Sequence, residues 1–110
     1  MKQSEIDKLN IMYAIYGYTC FICPKRANQR AHAVGNTDPN RGKYGKEIID
    51  NIDNFYPACS IDHNDTIDLG KNDYLLNKVA SIIKSDVKNK RGLIEKIVLE
   101  NVHRKRNKSN

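Results

Sequence analysis

Four residues stand at spacings that suit a soft metal ion: Cys20 and Cys23 in GYTCFICPKR, and Cys59 and His63 in ACSIDHND. A C-x-x-C pair is either a redox couple or half of a tetrahedral site, and a structural zinc takes four sulfur or nitrogen ligands, usually as two pairs on two turns. Cys20 and Cys23 form one pair. Cys59 is the only other cysteine, so the fourth ligand must stand close to it: His63 at C-x-x-x-H spacing, or Asp62 at C-x-x-D. Imidazole is a common zinc ligand and a carboxylate in a cysteine-rich structural site is rare, which favours His63 and keeps Asp62 as the alternative. A redox pair of the thioredoxin kind needs a strand that feeds a helix at the C-x-x-C, whereas Pro24 and a basic, non-periodic stretch follow here.

A metal staple also suits the composition. The chain has 110 residues, no Trp, 2 Phe and 29% charged residues, enough for one domain with a thin core. Residues 1–110 therefore read as a single domain. No run approaches the roughly 18 apolar residues of a membrane helix. The opening MKQSEIDKLN lacks the basic-then-apolar order of a signal peptide. The expectation is a cytoplasmic protein with no membrane partner, in which an odd number of cysteines argues for metal binding over a disulfide.

The elements that must position these residues follow from periodicity. Ser4 and Asp7 resemble a capping box, and Ile6, Leu9, Ile11, Met12, Tyr13 and Tyr16 recur at helical spacing, which predicts a helix over 4–16 stopped by Gly17. Gln29 to Val34, carrying His32, reads as a short strand. GNTDPNRGKYGK (35–46) reads as a loop from its Gly, Asn, Asp and Pro content. Asn54 to Ala58 reads as a second strand, and Cys59 to Leu69 as a turn into a short helix ended by Gly70. Two further helices are predicted over 72–87 and 92–105. Their inward stripes are Tyr74, Leu75, Val79, Ile82 and Ile83, and Leu93, Ile94, Ile97, Val98 and Val102.

Charge is distributed unevenly. The net charge is +6, and all of it lies in residues 84–110, which hold nine basic and three acidic residues. A basic helix and tail ending HRKRNKSN favours a polyanion through counterion release, so the expected partner is nucleic acid. His103 in that helix reads as a surface residue, and the 6 Tyr are too scattered to suggest base stacking.

The order C20-x-x-C23, A31-H32, KYGKE, N54, then C59-x-x-x-H63-N64 resembles the HNH nuclease family. The likeness covers about residues 18–70. It is nearest to a bacterial and phage branch with an AHR strand, a YGKE loop, an Asn and a VCSLxCND turn, matched here by RAHAV, KYGKEIID, Asn54 and ACSIDHND. That register puts His63 at the last zinc ligand of the branch, with Asp62 as zinc ligand and His63 as catalytic residue in the alternative one. The resemblance implies an α+β fold: a ββα-metal motif with a structural zinc, flanked by an N-terminal helix and two C-terminal helices.

It also implies an activity, metal-dependent hydrolysis of DNA phosphodiester bonds. His32 would be the general base, Asn54 the residue that braces the loop, and Asn64 the ligand of a catalytic magnesium or manganese ion. An imidazole can take a proton from water for in-line attack, and a divalent ion can stabilise the charge that develops on the phosphate. Arg30, Arg41, Lys43, Lys46, Arg104, Lys105 and Arg106 are the candidate phosphate contacts. Ala31 departs from the family, many of whose members have Asp or His there as a second metal ligand. Asn64 would then hold the ion with water and phosphate oxygens, or Asp65, Asp50 or Glu47 would complete the site. The same departure sustains an alternative, a zinc-stapled module that binds nucleic acid without cutting it. One motif cuts one strand, so a double-strand cut calls for two copies, which a homodimer would supply.

Overall fold

The computed structural model describes residues 3–108, with side chains as far as residue 106. The architecture is α+β. Helix α1 (Gln3–Tyr16) leads through the cysteine knuckle to strand β1 (Gln29–His32), followed by α2 (Asp38–Tyr44), α3 (Lys46–Ile49) and a 3-10 turn (Ile52–Asn54). Strand β2 (Phe55–Ala58), α4 (Ile61–Ile67), α5 (Asp73–Lys84) and α6 (Lys90–Lys108) complete the chain.

The strands pair antiparallel, with Gln29 opposite Ala58, Arg30 opposite Pro57, Ala31 opposite Tyr56 and His32 opposite Phe55. Side chains alternate across a pleated ribbon, so this register sorts them into two faces. Ala31, Tyr56 and Ala58 enter the main core with Ile67 of α4, Leu75, Leu76 and Val79 of α5, and Ile94 and Val98 of α6. Arg30, His32 and Phe55 occupy the opposite face, which α1 reaches through an ion pair between Glu5 and Arg30 at 3.0 Å.

Three helices after the hairpin start on side-chain caps. Ser60 Oγ accepts from His63 N, Asn72 Oδ1 from Leu75 N, and Asn89 Oδ1 from Gly92 N. Each satisfies an amide that has no partner within its helix. The Asn89 cap starts α6 ahead of Gly92, and Gly92 fits because any Cβ there would fall 2.4 Å from the Asn89 amide nitrogen.

Four expectations need correction. The stretch expected as a loop contains α2 and the first residue of α3: Thr37 caps α2, its Oγ1 accepting from Asn40 N at 3.3 Å, and Pro39 stands in the first turn where a missing N–H costs nothing. Gly45, at φ +83°, separates the two helices. Ser4 is not a cap, since α1 already includes Gln3, whose amide donates to Asp7. Of the α1 stripe only Met12 is buried, with Ile6 and Ile11 exposed. Tyr74 and Leu93 point outward, Tyr74 at 71% exposure, because Leu76 and Ile94 take the inward positions. No helix among the described residues is long and apolar enough to cross a membrane.

Candidate functional site

The knuckle is shaped by backbone geometry. Gly17 and Tyr18 both adopt positive φ (64° and 61°), turning the chain out of α1. A bridge between Thr19 and Arg26, with Cys20 N donating to Lys25 O at 2.9 Å and Ala27 N to Tyr18 O at 2.8 Å, closes the loop that presents Cys20 and Cys23. Phe21 N donates to Pro57 O at 2.8 Å, and the Phe21 ring lies 4.8 Å from that of Tyr56, so the knuckle docks on β2. Cys59 follows β2 directly, and the Ser60 cap places His63 in the first turn of α4.

The Sγ atoms of Cys20, Cys23 and Cys59 and a ring nitrogen of His63 all lie within 4.8 Å of one another. Cys20 Sγ is 3.5 Å from His63 Nδ1, Cys59 Sγ is 3.3 Å from the same nitrogen, and Cys23 Sγ is 3.5 Å from Cys59 Sγ. A tetrahedron with Zn–S near 2.3 Å and Zn–N near 2.0 Å has edges of about 3.5–3.8 Å. The cluster therefore could hold a metal such as zinc, by both donor chemistry and spacing. Asp62 is exposed and stands outside this group, whose fourth member is His63.

At the other end of the hairpin stands His32. Its Nε2 is buried and has no hydrogen-bond partner. Its ring meets that of Phe55 edge-on at 5.1 Å, and Arg30 stacks on the same Phe55 ring at 4.5 Å. Burial, and then the Arg30 charge, lower the His32 pKa to about 4, with Arg41 adding to the effect and Asp50 and Glu5 opposing it. Both flanking arginines are paired, Arg30 with Glu5 and Arg41 with Asp50 at 3.3 Å.

Asn54 lies behind this end and is fully buried. Its Oδ1 accepts from Val34 N at 2.7 Å, and its Nδ2 donates to Val34 O and Ile49 O, both at 3.0 Å. One amide side chain thereby ties the exit of β1 to the end of α3. The 3-10 turn is held from the far side by Arg91 of α6, whose guanidinium donates to the carbonyls of Phe55 (3.0 Å) and Ile52 and to the Tyr16 hydroxyl (2.9 Å). Tyr16 in turn donates to Glu95 at 2.9 Å. Arg91 is absent from the candidates drawn from sequence, because its partners are carbonyls remote in the chain that no residue pattern announces.

The remaining candidates are not gathered in one place. Asn64 Nδ2 donates to Gln29 Oε1 (3.1 Å) and Arg30 O (3.3 Å), bonding it to β1 two residues before His32. Ala31 is fully buried and offers no ligand atom. Among the described residues the Cys20, Cys23, Cys59 and His63 group is the one set of three or more His, Cys, Asp or Glu donors close enough to share an ion. No such set stands around Asn64 among the described residues.

Lys105 is turned inward, donating to the carbonyls of Asp65, Thr66 and Asp68 at the end of α4. Desolvation lowers its pKa, against the pull of Asp68 and Asp65. It is a helix cap rather than a free cation. Lys43 pairs with Asp73 at 3.8 Å, and Lys43, Lys46, Arg104 and Arg106 are all exposed. His103 is exposed as expected. No family model, curated protein or solved structure matches this chain.

Proposed function

We propose that this chain is a DNA endonuclease of the HNH type, held by zinc at one end of its hairpin and working at the other. One observation carries the reading. A short antiparallel hairpin and the helix that packs on it join a Cys3His tetrad to a histidine with an unpartnered Nε2, and a buried Asn braces the turn beside that histidine. With a pKa of about 4, His32 is neutral at physiological pH and able to accept a proton. A phosphodiester arriving beside it would raise its pKa and strengthen it as a base. Arg30 and Arg41 flank it and can exchange their carboxylate partners for phosphate oxygens. Arg104 and Arg106 add positive charge on the last turns of α6.

In this reading cleavage needs magnesium or manganese, supplied with the substrate, since the described residues near Asn64 give the ion little. The buried Ala31, which offers no ligand atom, favours a second reading, a zinc-stapled module that binds DNA or RNA and does not cut.

Incubation of supercoiled plasmid with either ion separates the two. The nuclease reading expects nicking that His32→Ala slows by about 10²–10⁴-fold, the usual contribution of a general base, with zinc content and DNA affinity unchanged. Cleavage indifferent to that substitution overturns the role of His32. Salt-sensitive binding without cleavage in either metal establishes the second reading.

A further inference from the structure

We infer that Arg91 is a positioning residue for the His32 site, acting through the carbonyls of Ile52 and Phe55, which bracket Asp53 and Asn54. The inference deepens the nuclease reading and rests on it for its catalytic consequence, but its physical core is independent of any activity. Arg91 belongs to α6, outside the hairpin and α4, yet its guanidinium donates to the carbonyls of Ile52, the first residue of the 3-10 turn, and of Phe55, the residue that follows the turn. Its Nε faces Asp53 at 3.8 Å, and its plane lies over Tyr16 and Tyr56 at 5.5 and 5.1 Å. A planar fork held on two rings has little freedom, so the two carbonyls are fixed relative to α6 rather than merely neutralised.

The consequence passes to His32 by two short routes. Asn54, between the gripped carbonyls, holds Val34 through both amide atoms and accepts from Ala33 N at 3.0 Å, the residue after His32. Phe55, whose carbonyl Arg91 takes, is the cross-strand partner of His32 and meets its ring. No hydrogen bond among the described residues holds Nε2 of His32 in place. Its aim must therefore come from backbone and ring packing, and Arg91 sets both. Shifts of about 1 Å at a reacting group can cost about a hundredfold in rate.

Hydrogen exchange and kinetics test this together, on zinc-loaded full-length protein. Arg91→Met is expected to speed exchange at the Ala33 and Val34 amides by at least about tenfold, leaving Asn28 and Phe21, bonded to Ala58 and Pro57 near the metal tetrad, as protected as in the parent. Arg91→Lys, which can keep one carbonyl but not the fork, is expected to fall between. In plasmid nicking the same series lowers kcat with KM held, and Arg91→Lys recovers part of the loss. Uniform loss of protection along the chain, or unchanged exchange at Ala33 and Val34, overturns the inference whether or not the protein cuts DNA. A parent protein that never nicks, with the local exchange pattern present, refutes the nuclease reading and the catalytic consequence while leaving the positioning of the turn established.

Discussion

The two ends of the β1–β2 hairpin are held by different physics. At the Gln29–Ala58 end, three sulfurs and an imidazole nitrogen converge within 4.8 Å. Thiols are weak hydrogen-bonding groups, and thiolates repel one another, so this convergence is favourable chiefly with a cation at its centre. At the His32–Phe55 end, neutral amides, carbonyls and one guanidinium satisfy each other without help. Among the described residues, the one buried side-chain polar atom left without a partner at that end is His32 Nε2. Stability is thus conditional where no substrate chemistry is proposed, and self-sufficient where a single unsatisfied atom is available for it.

Metal removal should break the contrast most severely. Apparent zinc affinities in small structural sites correspond to about 10–16 kcal/mol, comparable with the entire stability of a domain. A strong chelator, or Cys59→Ser, should abolish the helical circular dichroism, and for the chelated protein zinc should restore it. An unfolding temperature indifferent to chelation would show that the knuckle needs no ion.

Next in size is Asn54→Leu. It strands the Val34 N–H and the carbonyls of Val34 and Ile49, at about 1–3 kcal/mol for each buried group left unsatisfied. The urea midpoint should drop sharply while zinc stays at one ion per chain. Loss of the zinc along with the stability would mean that the two ends are a single cooperative unit.

Acid should act on the His32 end by a smaller amount. The folded-state value of about 4 is below the ordinary histidine value near 6.5, so the unfolded chain takes up the proton first. The contribution is fully present above about pH 6.5 and disappears as the pH falls towards 4, about 3 kcal/mol at most. Arg30 and Arg41 face the ring, opposed by Asp50 and Glu5. The measurement is the difference in stability between wild type and His32→Gln across that window, which isolates this one side chain. A constant difference would contradict the burial of His32.

Least consequential should be Glu5→Gln, which breaks a partly exposed pair with Arg30. Such pairs are worth about 0–1 kcal/mol, so stability should barely change. If the carboxylate occupies a phosphate position, affinity for short duplex DNA should rise several-fold at low salt, and equal affinities would remove Arg30 from the DNA-facing surface.

Much of the metal end could be read from residue types alone, because Cys20, Cys23, Cys59 and His63 announce their chemistry and their spacing fits two turns. The short strands and α4 could be placed for a related reason: Gly70 and the Ser60 turn mark boundaries locally. Helix α2 was hidden, since Gly, Asn, Asp and Pro suggest a loop, although Thr37 followed by Asp38 and Pro39 is also helix-start chemistry. The other end resisted for a deeper reason. Arg91 and Lys105 find backbone carbonyls between 36 and 40 residues away, and carbonyls are the same in every residue. Basic side chains near the C-terminus could be counted from sequence, but the inward reach of Lys105 could not.

The reach of α6 bears on the order in which the protein is made. The knuckle, both strands and His63 all leave the ribosome ahead of α6, so a nascent chain can capture its ion early and fold the metal end first. The turn around Asn54 must wait for Arg91 to close over Ile52 and Phe55, and the end of α4 must wait still longer for Lys105. Because such distant contacts form only after their loop-closure cost has been met, the histidine acquires its final setting only once α6 has been made and has docked, after the metal end can already have closed.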